Sequence, residues 1–235
     1  MSILGKKWVL KSEDSKKTVL EILLENRGLK SPNENEIFHD PLLMKDMQKS
    51  IEKISSAIKN NERIMIFGDY DVDGLASAAI LFHALRKLGA AHSVRLPNRE
   101  KDGYGLSEKF IDEFEKLGVK LVITVDCGIS CSSAISYAKN KGIEVIITDH
   151  HAIPEQTPEA AYSINHPKRK DCEYPFKELT GAGVALKVAY ALMQYELGHE
   201  EAENQLGDLY ELAMLGTIAD LGVVQGENKL IIKKG

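Results

Sequence analysis

The feature that most restricts the fold of this chain is an alternation of short apolar runs with longer amphipathic stretches, beginning at residue 63. "RIMIF" (63–67), "HSVRLP" (92–97), "KLVITVDCG" (120–128) and "EVIITDHH" (144–151) read as strands, with "AAYSIN" (160–165) as a weaker fifth. Between them, "GLASAAILFHALRKLG" (74–89), "SEKFIDEFEKLG" (107–118) and "SCSSAISYAKNKG" (130–142) read as helices. Gly89 closes the first of these, while Ser107 caps and Gly118 closes the second. Runs that are apolar on both faces suit strands buried in a parallel sheet, and strands alternating with helices of this length mean βαβ units. The predicted class is therefore α/β: a parallel β-sheet flanked by helices, with a helical N-terminal lead and a helical C-terminal part.

The lead consists of two predicted helices. "SKKTVLEILLENRGL" carries Val19, Ile22 and Leu23 on one stripe. "FHDPLLMKDMQKSIEKISSAIKN" (38–60) reads as one helix, with Asp40 as its cap and Pro41 at its first position. After residue 177 the alternation stops, and 179–198 and 202–221 read as two helices rich in Leu, Ala and Met. "GENKLIIKKG" (226–235) reads as the start of another element. The expected organisation is a helical segment over 1–60 packed on the core, a catalytic domain over 61–222 and the start of a linker helix over 223–235.

Three of the predicted strands end in polar residues. "RIMIFGDYDVDG" runs into Asp69, Asp71 and Asp73, the third predicted strand into Asp126, and the fourth into Asp149, His150 and His151. An Asp after a strand is often only a helix cap. In a parallel sheet, however, all carboxyl ends lie along one edge, where ligands bind. Carboxylates on one edge repel unless something positive sits among them. Carboxylate oxygens with imidazole nitrogen suit Mn²⁺ or Mg²⁺. The donors outnumber what one tetrahedral ion needs, and two ions would use them and activate a water for attack on phosphorus.

Composition decides less. A formal charge of −5 and a pI of about 5.8 give no support to nucleic-acid binding. Acids gathered at a metal site would be neutralised by ions, so the charge does not exclude it either. Cys127, Cys131 and Cys172 form no paired framework, and no second Cys or His pair completes a zinc site. No stretch approaches the ~20 apolar residues of a membrane span. "MSILGKKWVLKSED" lacks the apolar core of a signal peptide, which makes a cytoplasmic protein the expectation.

"GDYDVDG" (68–74), "VDCG" (125–128), "TDHH" (148–151) and "GTIADLG" (216–222) are similar to the successive motifs of the DHH phosphoesterase superfamily. "FHDPLLMKDM" (38–47), "LPNREKDGYGLS" (96–107) and "INHPKRKDCEYPFKELTGAGVALKVAYAL" (164–192) narrow the resemblance to RecJ-type single-strand-specific exonucleases, from about residue 37 onward. The resemblance implies metal ligands at Asp69, Asp71, Asp73, Asp126, His150 and Asp220, with Asp126 bridging two ions, Mn²⁺ or Mg²⁺. It implies that His151 faces the scissile phosphate and that Asp149 orients a neighbouring histidine. Arg99 is expected to reach a phosphate, and Gly181 and Gly183 to approach one through their amides or to serve a close helix contact. His166, Lys168, Arg169 and Lys170 form a basic cluster that would track a nucleic-acid backbone or lie solvated in a loop.

The implied activity is metal-dependent hydrolysis of single-stranded DNA from the 5′ end, in repair and recombination. Partners of that activity would be single-strand-binding protein or a helicase. The alternatives are a DHH enzyme acting on short oligoribonucleotides or cyclic dinucleotides, and a non-catalytic nucleic-acid-binding DHH protein. The second lobe of RecJ-type enzymes has no counterpart in these residues, so the chain is expected to fold and bind metal with weak or no processive nuclease activity.

Overall fold

The computed structural model describes Gly5, Lys7, Val9 and residues 16–28 and 36–235. The signal-peptide reading of residues 1–14 thus lies, those three positions apart, outside the described residues. By its internal contacts the chain divides into two units, 1–36 and 37–235. In the first, α1 (Val19–Asn26) starts at Thr18, whose hydroxyl accepts from the Glu21 amide while the Glu21 carboxylate accepts from Thr18 N–H. That reciprocal cap satisfies two of the amides a helix start leaves open.

The second unit contains five parallel strands: β1 (Arg63–Gly68), β2 (His92–Arg95), β3 (Val119–Val125), β4 (Glu144–Thr148) and β5 (Ser163–Asn165). Their order is β2-β1-β3-β4-β5. Successive residues of a strand face opposite sides, and the central strands β1, β3 and β4 are buried on both, while the edge strand β2 is partly exposed. Ile64 and Ile66 join a core formed with α2 (Met47–Lys59), α3 (Val72–Lys87) and α6 (Gly181–Leu197), while Met65 and Phe67 join one formed with α4 (Glu108–Lys116) and α5 (Ser132–Asn140). Each such Ile or Phe, fully buried, contributes about 1.5–3 kcal/mol. Past Arg63 the strand β1 is therefore apolar, and its next charge comes where it leaves the sheet.

Two helical expectations change. Residues 38–60 form a 3₁₀ turn, Pro41–Leu43, capped by Asp40, and then α2; they do not form one helix. Asp46 breaks the run with φ +65°, held there because its carboxylate accepts from Ile164 N–H and from Arg169. The stretch 202–221 falls partly in α7 (His199–Asn204) and otherwise in α8 (Gly207–Ala219), which are parted where Asn204 and Gly207, weak helix formers, flank the buried Leu206. The last element is α9 (Gly226–Lys234).

A charged node lies deep among these helices. Lys187 of α6 and Glu227 of α9 are both fully buried and paired. Glu227 also accepts from Tyr174 Oη at 2.6 Å and from His39 N–H at 3.0 Å, while Lys187 donates to His39 O at 2.7 Å.

Candidate metal centre

The strand order places the site. β1 is followed by β2 on one side and flanked by β3 on the other, so the loops leaving β1 and β3 diverge and open a crevice at their carboxyl ends. Asp69, Asp71 and Asp73 leave β1 there, Asp126 leaves β3, and Asp149, His150 and His151 leave β4 beside it. Asp220, the C-cap of α8, enters from the helical part.

Each acid is held differently. Asp71 caps α3, its Oδ1 accepting from Gly74 N–H at 2.8 Å, which leaves the rest of the carboxylate in solvent. Asp73 is buried on the first turn of α3, and its two oxygens accept from Gly181 N–H (2.6 Å) and Ala182 N–H (2.9 Å) at the start of α6. A helix N-terminus favours an anion, so the carboxylate is oriented by a neighbouring dipole. Asp126 is buried in the left-handed region at φ +57°, with its amide tied to Thr148 O. Asp149 accepts through Oδ1 from the amides of His150 and His151 and from His151 Nδ1 at 2.8 Å, and through Oδ2 from Ile129 N–H.

The facing donor atoms form three linked groups, each with its atoms within 4.8 Å of one another: Asp69, Asp71 and Asp126; Asp126, His150 and His151; and Asp73, His150 and Asp220. His150 Nε2 lies 3.1 Å from Asp126 Oδ1, 3.7 Å from Asp73 Oδ2 and 3.9 Å from Asp220 Oδ2. Yet Asp126 Oδ1 and His150 Nε2 are both buried without a hydrogen-bond partner. Unmade hydrogen bonds in a dry site are costly, and the ionisation of these groups reflects it. Burial, reinforced by Asp73, pushes Asp126 up to about 10, and burial pushes Asp73 up to about 6. Burial likewise lowers His150. His151 moves the other way, up to about 9, because Asp149 accepts from its Nδ1. Burial alone would raise Asp149, but the His151 ring and amides outweigh it and hold that carboxyl below its usual range. A cation among Asp126, Asp73 and His150 would satisfy the orphaned atoms and stabilise the anionic carboxylates together, so the donor set fits a divalent ion.

The model of the DHH family, N-terminal domain, matches residues 63–217. The chain belongs to the DHH family. Among curated relatives, the single-stranded-DNA-specific exonuclease RecJ of Bacillus subtilis is 44% identical over 198 residues, covering 84% of this chain and 24% of that protein. The RecJ of Escherichia coli is 35% identical over 228 residues, covering 92% of this chain and 39% of that protein. The chain thus spans about a quarter to two fifths of their lengths. Of solved structures, RecJ in complex with Mn²⁺ from Thermus thermophilus is 29% identical, with a TM-score of 0.77 over 92% of this chain and 30% of that one. An exonuclease RecJ bound to manganese is 33% identical, with a TM-score of 0.73 over 82% and 47%.

Within this DHH unit, Asp69, Asp71, Asp73, Asp126, His150, His151 and Asp220 all meet at one crevice. Arg99 lies outside the three groups, exposed, its guanidinium 5.4 Å from the Tyr70 ring centre between Asp69 and Asp71 in sequence. The amides of Gly181 and Gly183 both have acceptors within the chain. The first donates to Asp73 and the second to the Thr180 hydroxyl that caps α6. Gly181 is required for a different reason, since a Cβ there would stand 2.4 Å from Asp126 Oδ1. Two side chains of the basic cluster also have partners within the chain. Lys168 Nζ donates to His150 O, and Arg169 pairs with Asp46 and Asp171. Sequence reasoning passed over Gly216, whose Cβ would meet Asp73 Oδ1 at 2.5 Å, and Tyr104, whose ring is edge-on to His151 at 6.2 Å. The glycine in "LGTIAD" was the available signal for the first.

Proposed function

We propose that this chain is the catalytic portion of a metal-dependent phosphodiesterase that hydrolyses single-stranded DNA from its 5′ end in the cytoplasm, in repair and recombination. The observation that carries it is the pair of orphaned, facing atoms, Asp126 Oδ1 and His150 Nε2, at the junction of three ligand groups. Asp69, Asp71 and Asp126 would hold one Mn²⁺ or Mg²⁺, and Asp73, His150 and Asp220 a second, with Asp126 between them. When bound, such ions lower the pKa of a water and neutralise charge developing on a phosphoryl group.

The chain's own groups do the rest. Asp149 accepts from His151 Nδ1, which orients the ring, leaves Nε2 for a phosphate oxygen and raises the imidazole pKa in the metal-free chain. Asp73 is held by the α6 amides and cannot swing out of the site. Arg99, braced on Tyr70, supplies a planar fork for a second phosphate. Relatives named as single-stranded-DNA-specific exonucleases support the substrate class. Single-strand-binding protein or a helicase would be the partners that deliver such a strand.

The test is a substrate panel with Mn²⁺: 5′-labelled single-stranded DNA, short oligoribonucleotides and a cyclic dinucleotide. The expected result is slow release of 5′ mononucleotides from DNA alone, abolished by Asp126→Asn. Preference for a cyclic dinucleotide or short RNA would overturn the DNA assignment, and hydrolysis unchanged by Asp126→Asn would overturn the metal mechanism.

A further inference from the structure

We propose that His166 and Lys168 are positioning residues that hold the main chain of His150 and His151 from behind and aim both imidazoles into the centre. Three successive residues of the Asp149–His151 turn are tied to one short segment. The Asp149 amide donates to Asn165 O at 3.2 Å, Lys168 Nζ donates to His150 O at 2.8 Å, and His166 Nε2 meets His151 O at 2.9 Å. His166 is fully buried, and its Nδ1 accepts from Lys168 N–H at 3.1 Å. An imidazole that accepts at Nδ1 must, when neutral, carry its proton on Nε2, so the contact with His151 O is a donated hydrogen bond of fixed tautomer.

The brace is itself anchored. Asn165 donates to Lys45 O and accepts from Ser50 Oγ of α2 at 2.5 Å, and Arg169 Nη1 bonds both Ile164 O and Asp46. The segment can therefore resist displacement of the turn it holds. The bonds reach the main chain of the turn, at the Asp149 amide and the His150 and His151 carbonyls, and leave the rings alone, so they set the origin from which each ring reaches its partner. His150 Nε2 must arrive near Asp126 and His151 Nδ1 at Asp149, tolerances of about half an ångström for a working site. The "INHPK" run thereby acquires a role that its charge did not suggest.

This inference rests on the metal reading for the consequence at His150, and on geometry alone for the ring positions. Two readouts separate them, both made on the full chain: Mn²⁺ affinity by calorimetry, and the ¹⁵N ring signals of the histidines without metal. Lys168→Met, at an exposed side chain, is expected to weaken Mn²⁺ binding about three- to tenfold. His166→Ala should weaken it about 10- to 100-fold, the usual range for losing a group that orients a ligand. His166→Gln, which can still donate to His151 O, should recover most of that loss. The ring signals of His150 and His151 should shift in Lys168→Met and His166→Ala, and His166 should show the Nε2–H tautomer. Folded variants with wild-type affinity and unshifted ring signals would overturn the proposal, as would an Nδ1–H tautomer at His166. Should His166→Ala fail to fold, Lys168→Met decides by the same readings. Should the wild-type chain bind no Mn²⁺, the metal reading falls while the ring signals still judge the brace.

Discussion

Two buried clusters of charge lie in the 37–235 unit, and they are built on opposite terms. At the Lys187–Glu227 node every polar atom has a partner: Glu227 accepts from Lys187, Tyr174 and the His39 amide, and Lys187 also donates to His39 O. At the crevice, carboxylates crowd one another while Asp126 Oδ1 and His150 Nε2 face each other unpartnered. A satisfied ionic cluster among helices ties α6, α9 and the 38–40 segment together. An unsatisfied one, at the carboxyl ends of parallel strands, is built for a ligand that brings positive charge. Burial is common to both, and hydrogen-bond satisfaction separates architecture from function.

The contrast breaks most visibly on Asp126. Asp126→Asn is expected to reduce Mn²⁺ affinity and hydrolysis by roughly 100-fold or more, while raising the stability of the metal-free chain by about 1–3 kcal/mol at pH 8. Calorimetry and denaturant unfolding would register the two opposite changes. Glu227→Ala should do the reverse. It leaves Lys187 buried without its partner and costs about 3–5 kcal/mol of stability, with Mn²⁺ affinity of the folded chain unchanged. Replacing both residues by Met should return most of that loss; failure to do so would mean the node acts through more than its charge.

A smaller effect sharpens the geometry of the crevice. Gly181→Ala puts a methyl group against the Asp126 carboxylate and should cost about 1–3 kcal/mol, with roughly tenfold weaker Mn²⁺ binding for each 1.4 kcal/mol felt at the site. Wild-type affinity in that variant would show that α6 yields more than its packing suggests. The pH dependence is the subtlest test. In the native chain Asp126 sits near 10 and Asp73 near 6, both above the ~4 of an unfolded carboxyl. Ionising them therefore disfavours the metal-free native state. Stability from these groups is fullest below about pH 4, falls through pH 6 as Asp73 is forced to ionise, and falls on toward pH 10 for Asp126. Asp126→Asn should flatten the upper part of that slope in urea titrations.

The sheet and the acids at its edge were legible because both are local signals. "RIMIF" and "LVITV" announce buried strands by composition, and a carboxylate directly after each run can only lie at the sheet's edge. Asp220 had no such signal in the periodicity and came from the motif resemblance, since it reaches the crevice as the C-cap of α8. What stayed hidden depends on neighbours distant in sequence. The break at Asp46 comes from Arg169 and the Ile164 amide, more than a hundred residues away. The amide of Gly181 looks free for a phosphate until Asp73 is seen to occupy it. Lys168 and Arg169 looked like a nucleic-acid track for the same reason: charge is written in the sequence, but its partner is not.

The most direct measurement is the number of Mn²⁺ ions the chain binds, read by calorimetry at pH 7.5 beside Asp126→Asn. Two ions per chain are expected, with one or both lost in the variant. A chain that binds no Mn²⁺, or binds it equally well without the Asp126 carboxylate, would contradict the reading of the unsatisfied crevice as a two-metal centre.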